Sequence, residues 1–133
     1  MHITGIYVAL ATLLVLVLAG RVSTGRRTHK LSLGDGGHAD MVARIRAHAN
    51  ALENLPLALL LLLMLELNQT HPLWLHVFGC LLIVARIAHA IGMSGARSMG
   101  VGRLIGTVAT WLLMGVMALL LLWQWFAWTA TSL

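Results

Sequence analysis

The chain has 133 residues, 59% hydrophobic and 10% charged, against about 25% charged in an ordinary soluble domain, so it has too few polar side chains to coat a soluble surface. Counting its 13 glycines raises the apolar share to roughly 69%, and since each span of about 30 Å of hydrocarbon needs about 20 residues, at most about four or five crossings fit. A net charge of +5, from nine Lys and Arg against four Asp and Glu, would suggest nucleic acid in a soluble protein; here it reports membrane topology, and no nucleic-acid partner is expected.

The first apolar run starts at Ile3 and reaches Gly20 without a charge, and Arg21, Arg26, Arg27 and Lys30 then meet water. It predicts a first helix over about 3–24. The run lacks a basic leader and is longer than a signal core, so it reads as a span. LSLGDGGHAD, residues 31–40, is turn chemistry, with Asp40 placed to cap a second helix over 40–67. That helix is polar at first and then almost wholly apolar, with Glu66 near its end expected to be solvated. Asn68-Gln69-Thr70-His71-Pro72 breaks the chain before a third helix over 72–93, which makes helices two and three an antiparallel hairpin. The segment SGARSMGVGR precedes a fourth over 102–128. The fold expected is an all-α, integral membrane four-helix bundle in a single domain of four transmembrane helices.

All nine Lys and Arg fall between Arg21 and Arg46 or between Arg86 and Arg103. The positive-inside rule puts both basic zones in the cytoplasm, with both termini and the 68–72 turn on the other side. Trp74, Trp123, Trp125 and Trp128 then form an aromatic belt at that far interface. Cys80 is the only cysteine, so neither an internal disulfide nor a thiolate metal site can form, and no metal centre is read from the sequence. Its expected role is packing.

Arg46, Asn50 and Glu53 follow an i, i+4, i+7 spacing and share one helical face, a polar stripe entering the membrane. A carboxylate at that depth is costly unless a cation or a ligand occupies it. Arg86, one turn from His89, equally needs an anion, and an ion pair between Glu53 and Arg86 would be enough to explain both residues. Arg44 and His48 flank the stripe and suit lipid headgroups or an extension of it. Yet Arg44, Arg46, Arg86, Arg97 and Arg103 crowd one leaflet around Glu53. Something anionic should complete the site: a lipid phosphate, or a small ligand gripped by guanidinium groups and the Asn50 amide. Pro56 frees the Leu52 carbonyl and should bend helix two beyond Glu53, and Gly102 with Gly106 marks a face where another helix packs closely.

The run RIRAHANALENLP, from Arg44 to Pro56, resembles the signature of the MAPEG family, the membrane-associated proteins in eicosanoid and glutathione metabolism. The likeness covers nearly the whole chain, and GDGGH with ARIAHAIG at 85–92 looks most like its small bacterial branch. The resemblance implies a homotrimer in a bacterial inner membrane, binding glutathione as co-substrate in a cytosol-facing crevice between subunits. It carries glutathione binding onto Arg46, Asn50, Glu53, Arg86 and His89. The family's catalytic arginine falls on Arg103, with Arg97 as the competing choice, while a helix-three tyrosine of several members has no counterpart here. Glutathione offers carboxylates to arginines, an ammonium to Glu53 and amides to Asn50. A thiol of pKa about 8.5 beside a guanidinium becomes a better nucleophile toward a lipophilic electrophile arriving from the bilayer. Thioether formation and peroxide reduction are the two reaction classes implied. The alternatives are a non-catalytic protein of the same fold that binds lipid or a small anion, and a transporter or channel, which would place charges through both leaflets.

Overall fold

The computed structural model describes residues 2–93 and 100–132, and they form four helices: α1 (Ile3–Thr28), α2 (Ala39–Leu67), α3 (Pro72–Gly92) and α4 (Val101–Ser132). No strand occurs among the described residues. All four are long and apolar enough to cross a membrane, and even α3, with 21 residues, rises about 32 Å at 1.5 Å per residue. Among the described residues α1 touches α2 and α3 but not α4, and α4 touches α2 and α3. Helices α2 and α3 are therefore the central pair, flanked on opposite sides by the other two. Their facing residues, Leu55, Leu62 and Leu65 with Leu75 and Leu82, make the core together with Tyr7 and Met117. Leucines and valines on the outer faces of α1 and α4 remain exposed, as expected of a bundle solvated by hydrocarbon.

Helix α1 runs four residues beyond the end expected at residue 24, past the weak helix formers Ser23, Thr24 and Gly25. These residues weaken a helix in isolation, but Gly25 is buried and a side chain there would collide with Met41 and Arg44 of α2. Tertiary packing thus carries the helix on to Arg26 and Arg27, whose charges suit its C-terminal dipole. The chain then reverses through Gly34, Gly36 and Gly37, all at positive φ between 60° and 77°, where a side chain would be strained. Asp40 does not cap α2 as expected. The N-cap is His38, whose side chain makes no capping bond, and the Asp40 carboxylate turns instead to His29 at 3.1 Å and Arg44 at 3.5 Å. Two cationic or imidazole partners outcompete backbone N–H groups that water also satisfies.

Pro56 lies inside α2 without ending it, and His71 caps α3 by accepting from the Leu73 N–H at 3.3 Å, with Pro72 in the first turn. The backbones of α3 and α4 approach each other closely. A Cβ on Gly102 or Gly106 would run into the Ala88 or Ala85 carbonyl, and one on Gly92 into the backbone of Gly102 and Arg103. The glycine pattern read at the start of α4 is therefore a helix contact, while Gly115 has open space beside it.

Glu66 is not solvated. Its carboxylate accepts from the backbone N–H groups of Ile3 and Thr4, with His2 at 3.6 Å. An acid on α2 thereby satisfies orphan donors at the start of α1. Glu66→Ala is expected to destabilise the bundle by about 1.5–3 kcal/mol, the range for hydrogen bonds to a charged group. Thermal unfolding in detergent measures it, and an unchanged Tm would show that the tether carries no stability.

Candidate functional site

Arg86 is the largest side chain among those almost completely buried, with 2% of its surface exposed. It sits on the face of α3 that meets α2, where Nη2 donates to Asn50 Oδ1 at 2.6 Å and to His89 Nδ1 at 3.3 Å. A guanidinium has no acceptor, so His89 Nδ1 offers its lone pair and the imidazole carries its proton on Nε2. His89 itself is 3% exposed. The other guanidinium nitrogens, Nε and Nη1, are buried with no hydrogen-bond partner. A buried, unneutralised charge with orphaned donors costs several kcal/mol, so Arg86 is costly to bury without an anionic partner.

Glu53 does not supply that anion. The ion pairs among the described residues are His2–Glu66, His29–Asp40 and Arg44–Asp40, and both Glu53 and Arg46 are exposed. The reason is helical phase. The residues of α2 that face the core, Ala47, Ala51, Leu55, Ala58 and Leu62, lie roughly 120° around the helix from the Arg46, Asn50, Glu53 stripe. Asn50 stands on the flank nearest α3 and reaches Arg86, whereas Arg46 and Glu53 look away from the bundle. The expected ion pair between Glu53 and Arg86 is thus absent, and Arg46 and Glu53 line an open face beside a buried cation.

Arg103 opens α4, its backbone N–H donating to the Gly100 carbonyl at 2.9 Å. Close contact between Gly92 and the Arg103 backbone puts it one turn of α3 beyond His89, on the same end of the bundle. Arg97, the competing choice, lies outside the described residues. Arg44 is drawn away from the stripe: besides Asp40 it donates to the Arg21 carbonyl at 3.0 Å, which ties α2 to α1. The structure therefore brings together Arg86, Asn50 and His89, sets Arg103 at the adjoining end of α4, and leaves Arg46 and Glu53 on an open wall.

The MAPEG family model matches this chain over residues 4–123. The chain belongs to the MAPEG family. It is also similar to "Inner membrane protein YecN" from Escherichia coli strain K12, 31% identical over 121 residues that cover 91% of each chain. The protein of the same name from Escherichia coli O6:H1 strain CFT073 matches to the same extent. As a MAPEG protein it is a four-helix membrane protein of the family named for eicosanoid and glutathione metabolism.

Other polar contacts in this MAPEG chain escaped the reading of the sequence. Tyr7, the only tyrosine, lies over Gly79, where any side chain would strike its ring. Its hydroxyl lies 2.9 Å from His76 Nδ1, donates to the His76 carbonyl at 3.1 Å, and is 3.3 Å from Cys80 Sγ. Cys80 is thus a polar contact between α1 and α3 as well as part of an apolar run. A lone tyrosine in an otherwise apolar helix was the available signal, since a buried phenol requires a partner. At the far end of the bundle Gln124 links α4 to Asn68 at 3.0 Å and Thr70 at 2.8 Å. Exposed Trp123, Trp125 and Trp128 therefore sit beside the 68–72 turn, with Trp74 exposed on the same side, as an interfacial belt requires.

Proposed function

We propose that the protein is a glutathione-dependent membrane enzyme that joins the glutathione thiolate to lipophilic electrophiles or uses it to reduce them. The observation that carries this reading is the buried Arg86 with Nε and Nη1 unpartnered. Carboxylate oxygens of the tripeptide suit those donors through charge-assisted hydrogen bonds, and the Asn50 amide beside them suits a peptide group. Arg46 and Glu53 offer a further anion contact and a seat for the ammonium. Their outward direction supports a crevice completed by a second copy of the chain, as in a homotrimer. Arg103 is assigned to the thiol: its charge stabilises the thiolate, whose sulfur attacks the electrophilic carbon. With an aryl chloride a C–S bond forms, chloride departs with the bonding pair, and the thiol proton passes to solvent. The apolar substrate reaches the crevice from the bilayer.

The clustering of basic residues around the α1–α2 and α3–α4 connections supports cytoplasmic placement of the site, with both termini on the other side, and the likeness to a protein named for the inner membrane supports that location. Purified protein in detergent, mixed with glutathione and a lipophilic aryl chloride, should give a saturable ultraviolet thiolate signal and the conjugate. Neither signal nor conjugate would overturn the enzymatic reading. Glu53→Gln should weaken glutathione binding by about 1.5–3 kcal/mol, through loss of a charged hydrogen bond. That is about 10- to 150-fold in a calorimetric Kd, and an unchanged Kd would remove Glu53 from the site.

A second reading, a non-catalytic protein that holds lipid or a small anion, is favoured by a separate cleft of about 510 Å³ lined by Arg26, Arg27, His48, Ser23 and Ser32. Basic and hydroxyl side chains at a helix end suit a phospholipid headgroup. Retention of anionic lipid through purification with no thiolate signal would favour it.

A further inference from the structure

We propose that the turn joining α1 to α2 is a binding site for a divalent transition metal of the Zn²⁺ class, held by His29, His38 and Asp40. One ligand atom from each of the three lies within 4.8 Å of the other two. His29 Nε2 is 3.1 Å from both Asp40 oxygens. Ligands about 2.0–2.1 Å from a tetrahedral Zn²⁺ stand about 3.3–3.4 Å from one another, so this edge of the site is already at coordinating length. The His38 ring stacks on that of His29, centroids 4.0 Å apart and planes inclined by 19°. To ligate the same ion, the exposed His38 imidazole has to rotate out of this stack so that one of its nitrogens faces His29 Nε2 and Asp40. Water takes the fourth position.

The backbone builds the set. His29 is the C-cap of α1, His38 the N-cap of α2 and Asp40 part of the first turn of α2, so an ion would clamp one helix end to the next. The intervening loop is folded back by three glycines at positive φ and by Asp35, which accepts the Gly37 N–H at 2.8 Å. Arg44 Nε lies 3.5 Å from Asp40 Oδ2, which orients the carboxylate and leaves Oδ1 for the metal, the outer-shell arrangement common around such ions. Two imidazoles and one carboxylate select Zn²⁺ and its neighbours over Mg²⁺ or Ca²⁺, which take oxygen donors. The spacing from His29 to His38 matches no zinc signature in the sequence, and only the glycine turn brings the two rings together. The site uses none of the residues assigned to glutathione.

The test is calorimetric titration of tag-free, chelator-stripped protein in detergent with ZnCl₂, and with CoCl₂ followed by its visible absorption. One ion per chain, a Co²⁺ spectrum of tetrahedral intensity, and a Tm that rises with Zn²⁺ are expected. His38→Ala and Asp40→Asn, both at exposed positions, should each weaken binding by more than about tenfold, while His48→Ala and His71→Ala leave it unchanged. Absence of saturable binding, or binding that survives both His38→Ala and Asp40→Asn, would overturn the proposal. Should His29→Ala fail to fold, those two exposed variants still decide it.

Discussion

Arg86→Met should strongly weaken glutathione binding while leaving the ligand-free protein as stable as the parent or more so. Truncating one partner of a buried charged pair costs about 2–5 kcal/mol of affinity, or about 30-fold to several thousand-fold in Kd. The stability of the free protein moves the other way for a separate reason. Arg86 is buried with Nε and Nη1 unpartnered and has no carboxylate within ion-pair distance among the described residues, so without ligand its burial is a cost. Replacing such a charge by an apolar side chain of similar length is neutral or stabilising. The only partners lost are Asn50, which is half-exposed, and His89. Calorimetric titration and thermal unfolding of the same preparation measure both effects. Loss of binding with a large fall in Tm would make Arg86 structural instead.

Arg103→Ala separates chemistry from binding. If its guanidinium stabilises the sulfur anion, removing it should lower the thiolate signal and the rate of conjugation by about 10²–10³-fold, the usual loss when one stabilising donor is removed from a developing anion. Glutathione affinity should fall by less than about tenfold, since the carboxylate contacts at Arg86 remain. The readout is the difference between Kd and the rate of conjugate formation at saturating glutathione. If Arg97→Ala alone reproduces the effect, the thiolate role passes to Arg97; if neither variant changes the rate, no arginine at this end of α4 acts on the sulfur.

Much of the architecture was legible because a bilayer leaves few choices. Apolar runs broken by Arg21 to Lys30, by the 68–72 turn and by the glycine-rich segment before Arg103 could only become four helices. What was not legible depended on tertiary contacts. The continuation of α1 past Gly25 rests on Met41 and Arg44 of the next helix, and the capture of Glu66 by the first turn of α1 joins positions over 60 residues apart. The candidate site divides along the same line. Spacing put Arg46, Asn50 and Glu53 on one face, but it could not say that only Asn50 would reach Arg86. That depends on how far α2 is rotated about its axis, which is set by Ala47, Ala51 and Leu55 packing inward. Nor could it say that Asp40 would engage Arg44, which removes one cation from the excess counted on that side.

The most direct measurement is a structure of the protein in a lipid nanodisc with glutathione added. Density for the tripeptide is expected between the subunits, with a carboxylate oxygen on Nε or Nη1 of Arg86 and with Arg46 and Glu53 closed around the rest of the molecule. A phospholipid phosphate or a neighbouring subunit's own acid on those two nitrogens, with glutathione absent at saturating concentration, would contradict it.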